Sequence, residues 1–110
     1  MMNLDEYFER IGYVGSPACD LRSLQEIVFA HATAIPFECL DALTDTPISL
    51  DLQRIADKLV RRRQGGYCFE QNALLAAVLR ELGFHVDELS ARVWYNTPDR
   101  TTPPRTHVFL

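Results

Sequence analysis

Cys68 is the residue whose surroundings most favour chemistry. It follows Gly65-Gly66-Tyr67 and stands at, or just before, the start of a helical pattern. At a helix start unpaired backbone N–H groups and the positive end of the dipole converge. Both favour thiolate over thiol, which makes a sulfur there reactive at neutral pH. The two glycines allow unusual backbone angles and close approach of another segment or a ligand. A thiolate nucleophile needs a partner for its proton, and His107 is the preferred candidate. It lies after a proline-rich loop and before an apolar run, where a rigid scaffold often presents functional side chains. The bland alternative for Cys68 is a buried, inert thiol. The glycine pair and the helix start favour the reactive reading.

The remaining candidates have plainer explanations. Cys19 and Cys39 lack such a context and read as packing residues. The three cysteines are odd in number and widely spaced, fitting neither a disulfide framework nor paired metal ligands. His31 falls inside a helical stretch and His85 opens an extended one, so both read as core or surface histidines. Arg61-Arg62-Arg63 could attract an anion, but solvated cations at a helix C-terminus are the better reading.

The elements that must position Cys68 and His107 follow from periodicity. Asn3 is placed to cap a short helix over Leu4 to Ile11, with Leu4, Tyr7, Phe8 and Ile11 in helical register. Gly12 and Gly15-Ser16-Pro17 end it. Asp20 can cap a second helix over Leu21 to Thr33, with a stripe of Leu24, Ile27, Val28 and Ala32 (or His31). Pro36 stops that pattern and forces Ile35 to be extended. Glu38 to Leu50 reads as irregular, with Asp41, Thr44, Asp45, Thr46 and Pro47 as turn formers. A third helix is expected over Asp51 to Arg63, with Leu52, Ile55, Ala56, Leu59 and Val60 on one face. A fourth covers Phe69 to Leu82 and ends at Gly83. Beyond it Phe84, Val86, Leu89, Ala91, Val93 and Tyr95 suggest one or two strands, and Asn96 to Pro104 a polar loop. Helices first and strands second reads as α+β, with the change near Gly83.

Composition sets outer limits. With 110 residues, 47% hydrophobic and 24% charged, the chain is close to the globular average, which disfavours disorder, collagen and coiled coil. Eleven basic against 15 acidic residues give a net charge of −4, which argues against a nucleic-acid coat. Met1 to Arg10 has no basic n-region and no apolar core, so no secretory signal is expected there. The longest uncharged stretch, Ile27 to Phe37, is far short of the ~20 apolar residues of a spanning helix. No membrane partner is expected, and the thiols are expected to be reduced in a cytoplasm. Thr106 to Leu110 reads as the opening of a buried strand, which suggests a piece of something longer.

Gly65-Gly66-Tyr67-Cys68-Phe69-Glu70-Gln71-Asn72 resembles the active-site cysteine motif of the arylamine N-acetyltransferases, in its bacterial form. Tyr7-Phe8-Glu9-Arg10-Ile11-Gly12-Tyr13 is similar to that family's N-terminal signature. His31 with Ile35-Pro36-Phe37-Glu38 and Leu40-Asp41 is similar to its second signature. Pro104-Arg105-Thr106-His107-Val108 resembles the segment that bears the active-site histidine.

The resemblance implies a helical bundle over residues 1–83 carrying Cys68, followed over 84–110 by the first strands of a β-barrel domain carrying His107. That is a truncated, papain-like cysteine transferase core. It implies acetyl transfer from acetyl-CoA, a co-substrate rather than a bound cofactor, to arylamines, arylhydrazines or N-hydroxyarylamines. Cys68 would carry the acetyl group in a ping-pong cycle, and His107 would manage the proton. Phe37 matches an aromatic position lining the acceptor pocket, and a flat apolar wall suits an aromatic amine. No metal is implied.

Three departures from the family pattern stand out. Gln64 replaces an arginine that commonly supports the motif beside the glutamate matched by Glu38, and Cys39 replaces an asparagine. The family's aspartate, which orients the histidine, belongs to a later strand. Asp87 and Asp99 precede His107 and match no part of the motif. Without that aspartate the imidazole lacks its tautomer lock, so little turnover is expected of these 110 residues alone. The rival readings are a papain-like cysteine hydrolase using the same Cys–His pair, and a truncated, non-catalytic relative acting as a binding module.

Overall fold

In the computed structural model, residues 3–38, 51–92, 102 and 105–110 are described, with 105–107 through their backbone alone. Cys39, Asp99 and most of the two expected loops lie outside these residues, as do the strand positions Val93 and Tyr95. The first helix, α1, spans Leu4–Ile11, and the Asn3 side chain accepts from the Asp5 and Glu6 N–H groups as expected. Eight residues are too few to be helical in isolation, so α1 depends on its packing. Tyr7 and Ile11 supply that packing from its buried face.

Helix α2 spans Leu21–Ala34, with the Asp20 carboxylate accepting from the Ser23 N–H at 2.8 Å. Its buried face differs from the expected stripe. Ser23, Ile27 and His31 point inward, whereas Val28 and Ala32 are exposed. The alternative place for His31 is the one adopted, because two polar partners await its ring inside.

The third helical stretch begins as α3, Leu52–Ala56, and continues as a π-helical turn over Asp57–Arg61. The Arg62 N–H reaches back to the Asp57 carbonyl at 2.8 Å, the wide bond of a π turn. Ile55, Leu59 and Val60 are buried as the periodicity predicts. The widened turn also buries Lys58, which no apolar pattern marks. Arg63 lies past the helix end with φ 54°, so the expected helix runs two residues too far.

Helix α4 spans Cys68–Glu81, one residue earlier at each end than expected. Gly83 closes it with φ 99°, a conformation that suits glycine. The Gly83 N–H bonds the Arg80 carbonyl and the Phe84 N–H the Leu79 carbonyl, which helps to satisfy the carbonyls of the last turn. Leu74 and Val78 of α4 meet Tyr7, Ile27, Ile55 and Leu59 in the core. Burying such side chains fully contributes about 1.5–3 kcal/mol each, far more than helix propensity does.

Two strands follow, β1 (Leu89–Arg92) and β2 (Arg105–Phe109), paired antiparallel. Residues 84–88 form no strand, so His85 does not open one. It is exposed beside Asp87 at 3.5 Å. Phe84 and Val86 instead pack on the helical core, which uses their apolar side chains without strand pairing.

Candidate active site

The loop Gly65-Gly66-Tyr67 delivers Cys68 to the first position of α4, where the sulfur-bearing side chain is buried. Gly65 is demanded by close approach. A Cβ there would collide with the Pro36 carbonyl oxygen and sit 2.8 Å from Glu38 Cγ. The two segments lie side by side because Gly66 N–H donates to the Pro36 carbonyl at 3.2 Å and Glu38 N–H to the Gly66 carbonyl at 3.0 Å. That parallel bridge pairs Phe37 with Gly66 and brings Phe37 to the loop that precedes Cys68. The ring of Phe37 is 67% exposed.

Glu70 fastens the helix start. Its carboxylate accepts from the Tyr67 N–H at 3.3 Å and from Lys58 Nζ at 2.9 Å, with both charged side chains buried. Burial, together with the neighbouring Glu70 and Cys68, holds the Tyr67 phenol above its ordinary pKa, so it stays protonated. Gln64, at the position of the missing arginine, is exposed, and the buried cation beneath this loop is Lys58.

Beneath Phe37 lies a buried polar chain. Gln71 Nε2 donates to the carbonyls of Pro36 at 2.9 Å, Ile35 at 3.3 Å and Gly66 at 3.4 Å. Those carbonyls fix which end of the amide is nitrogen. Gln71 Oε1 can then only accept, so His31 Nε2–H donates to it at 2.7 Å. The bare Nδ1 accepts the Tyr7 hydroxyl at 2.8 Å. Burial is the main cause of a lowered His31 pKa, and the nearby Arg10 adds to it, so the ring is neutral. His31 is therefore a satisfied core histidine, as expected.

His107 lies in β2 opposite Ala91, beside an irregularity that leaves Thr106 as an extra residue between two strand pairs. Such bulges bend a strand and re-aim what it carries. Asn72 Nδ2 donates to the Val108 carbonyl at 2.6 Å, tying β2 to α4. Asn72 is four residues after Cys68 and so shares its helix face. The strand carrying His107 is thus held against the face of the helix that begins with Cys68.

Sequence reasoning missed Lys58, Gln71 and Asn72 as supports of the site. The signal for Asn72 and Gln71 was available in their helical spacing from Cys68, whereas nothing marked Lys58. Cys19 is exposed, contrary to the packing role expected of it. A cap at Asp20 and the turn before it keep this residue at the surface, where no core face reaches it. Arg61 pairs with Glu6 and Arg62 with Asp57, each at 3.1 Å and largely in solvent. Among the described residues no group of three His, Cys, Asp or Glu could hold a metal, and no helix is long and apolar enough to cross a membrane.

The N-acetyltransferase family model matches residues 20–110, the greater part of the chain, and includes the loop, Cys68 and His107. The chain belongs to the arylamine N-acetyltransferase family. It is 49% identical to the arylamine N-acetyltransferase of Mycobacterium tuberculosis, over 99% of this chain and 39% of that protein. The solved structure of the M. tuberculosis enzyme superposes with a TM-score of 0.91 at 49% identity, covering 96% of this chain and 40% of that one. An arylamine N-acetyltransferase of M. marinum, solved in complex with CoA, superposes at 0.90 with 44% identity over 96% of this chain and 40% of that one. The chain thus spans about two fifths of the length of the arylamine N-acetyltransferases it matches.

Proposed function

We propose that this chain carries the nucleophile and base of an enzyme that transfers acetyl from acetyl-CoA to aromatic amines. The observation that carries this reading is the placement of Cys68 at the start of α4 with the His107 strand bonded to the same helix through Asn72. Family membership supports the reaction class, and the CoA complex of the M. marinum relative supports the donor. Cys68 attacks the thioester carbonyl, the CoA thiolate leaves, and the acetyl group rests on sulfur. The amine then attacks the acetyl-cysteine, releasing Cys68, while His107 holds the thiolate and passes the proton in each half-reaction. Arylhydrazines and N-hydroxyarylamines are acceptors of the same kind, and Phe37 provides one flat wall for them. Acetyl-CoA is consumed as a co-substrate, in the cytoplasm.

The helical unit spans residues 1–83. Residues 84–110, including β1 and β2, open a β-barrel domain, giving the papain-like arrangement in which a helix offers cysteine and a strand histidine. The 110 residues alone include no aspartate matched to the family's orienting position, so their own turnover is expected to be slight.

Intact-mass measurement tests the reading. The chain is expressed with any in-frame coding sequence that flanks it and incubated with acetyl-CoA. One acetyl group is expected on Cys68, discharged by an arylamine and absent in Cys68→Ala. Hydrolysis of peptides or esters with no response to acetyl-CoA would instead establish a cysteine hydrolase.

A further inference from the structure

The proposed chemistry leaves Gln71 unused, although it is 1% exposed and its amide bonds His31 and the carbonyls of Ile35, Pro36 and Gly66. Its amide nitrogen meets the carbonyls of Pro36 and Gly66, the same two oxygens that accept the backbone bonds of the Phe37–Gly66 bridge. One amide therefore occupies the second lone pair at both fastenings between the Phe37 segment and the nucleophile's loop. The Phe37 ring is mostly exposed, so the backbone bridge, not ring packing, sets its place.

The amide could serve this role only in one orientation. Turned over, it would face three carbonyl oxygens with its own oxygen and an imidazole N–H with its own N–H groups. The three carbonyls and His31 Nε2–H forbid that turn, and the Tyr7 hydroxyl at Nδ1 holds the imidazole in place. Around the ring, α1 contributes Tyr7 and Arg10 and α4 contributes Gln71, and burial keeps the ring neutral, with Nδ1 bare for the Tyr7 hydroxyl.

We propose that Gln71, locked by His31 and Tyr7, is a positioning residue that sets Phe37 against the Cys68 loop and thereby selects acceptors with an aromatic ring. This rests on the acetyl-cysteine reading above. It adds a determinant of acceptor choice that touches neither substrate nor sulfur.

Gln71→Met keeps the side-chain length and removes its donors and acceptor. In the chain with its flanking coding sequence, acetylation of Cys68 by acetyl-CoA is expected to stay within about twofold of the parent. The KM for a simple arylamine is expected to rise about tenfold, while that for hydrazine, which has no ring to lie on Phe37, stays unchanged. In a Phe37→Ala background, Gln71→Met is expected to add nothing to the arylamine KM. Equal losses for ringed and ringless acceptors, or additive effects of the two substitutions, overturn the proposal. Should Gln71→Met not fold, Tyr7→Phe, which loosens only the imidazole, must raise the arylamine KM, and an unchanged value overturns the proposal. A parent chain that takes no acetyl group on Cys68 overturns the acetyl-cysteine reading itself, and the inference with it.

Discussion

At 2.9 Å, with both side chains shut away from water, Lys58 and Glu70 form a pair that matters most through what either would leave behind. An isolated buried carboxylate has lost its hydration, and the ammonium supplies the opposite charge. Glu70 also accepts from the Tyr67 N–H, so its charge is held at the point where α4 and Cys68 begin. Lys58→Met is therefore expected to cost about 3–5 kcal/mol in urea unfolding, the range for a broken buried pair. Adding Glu70→Gln should recover at least half of the loss, because a neutral amide oxygen still accepts from Tyr67. A single substitution that costs less than the double one would show that the pair does not compensate itself. At this scale the sequence was unevenly legible. A glycine pair before a cysteine marks an unusual backbone, and the collision at Gly65 explains it. A lysine in a helical stripe carries no such mark, since its partner is twelve residues away and only the fold joins them.

Between elements, the bond from Asn72 to the Val108 carbonyl joins a helix and a strand far apart in sequence. Val108 is next to His107, so this bond fixes how far the strand that bears His107 stands from the helix that bears Cys68. Asn72→Leu keeps the size and removes the donor. Single-turnover acetylation of Cys68 is expected to slow by about tenfold or more, since misplacement by about 1 Å can cost 10²-fold, while unfolding shifts little. A rate within twofold of the parent would show that β2 holds its place without Asn72. The helices that carry this geometry were readable because caps and breakers are local. Asn3, Asp20 and Gly83 each act within a few residues of themselves. The π turn over Asp57–Arg61 and the inward face of α2 were not readable, because both answer to partners elsewhere in the fold. Polar Ser23 takes a buried place that no hydrophobic pattern marks, His31 takes the place left open between it and Ala32, and Val28 is exposed. Residues 84–88 carry a strand-like alternation, yet their apolar side chains pack on helices and find no ladder.

Over the whole molecule, the same buried ring that locks Gln71 makes stability depend on pH. His31 is held below its ordinary value of 6.5, by burial first and by Arg10 in addition, against the opposing bond from Gln71. The unfolded chain therefore binds a proton at His31 before the folded chain does. Its contribution is fully present above pH 6.5 and declines as pH falls towards the lowered folded value, by at most about 1.4 kcal/mol per pH unit. Asp20 acts lower on the scale. Bonds from Ser23 hold its carboxyl below 3.8, so the cap's contribution is present above that value and is lost as pH falls through the folded one. Two separate steps are expected in melting temperature against pH, one beginning near pH 6.5 and one below pH 4. His31→Gln should flatten the difference between pH 7 and pH 5 and leave the acid step. Asp20→Ser, which keeps a cap that does not titrate, should do the reverse. Equal slopes between pH 7 and pH 5 in the parent and His31→Gln would show that the ring is not held neutral by the fold. Nδ1 would then carry a proton at low pH, and the Tyr7 hydroxyl would have to accept from it.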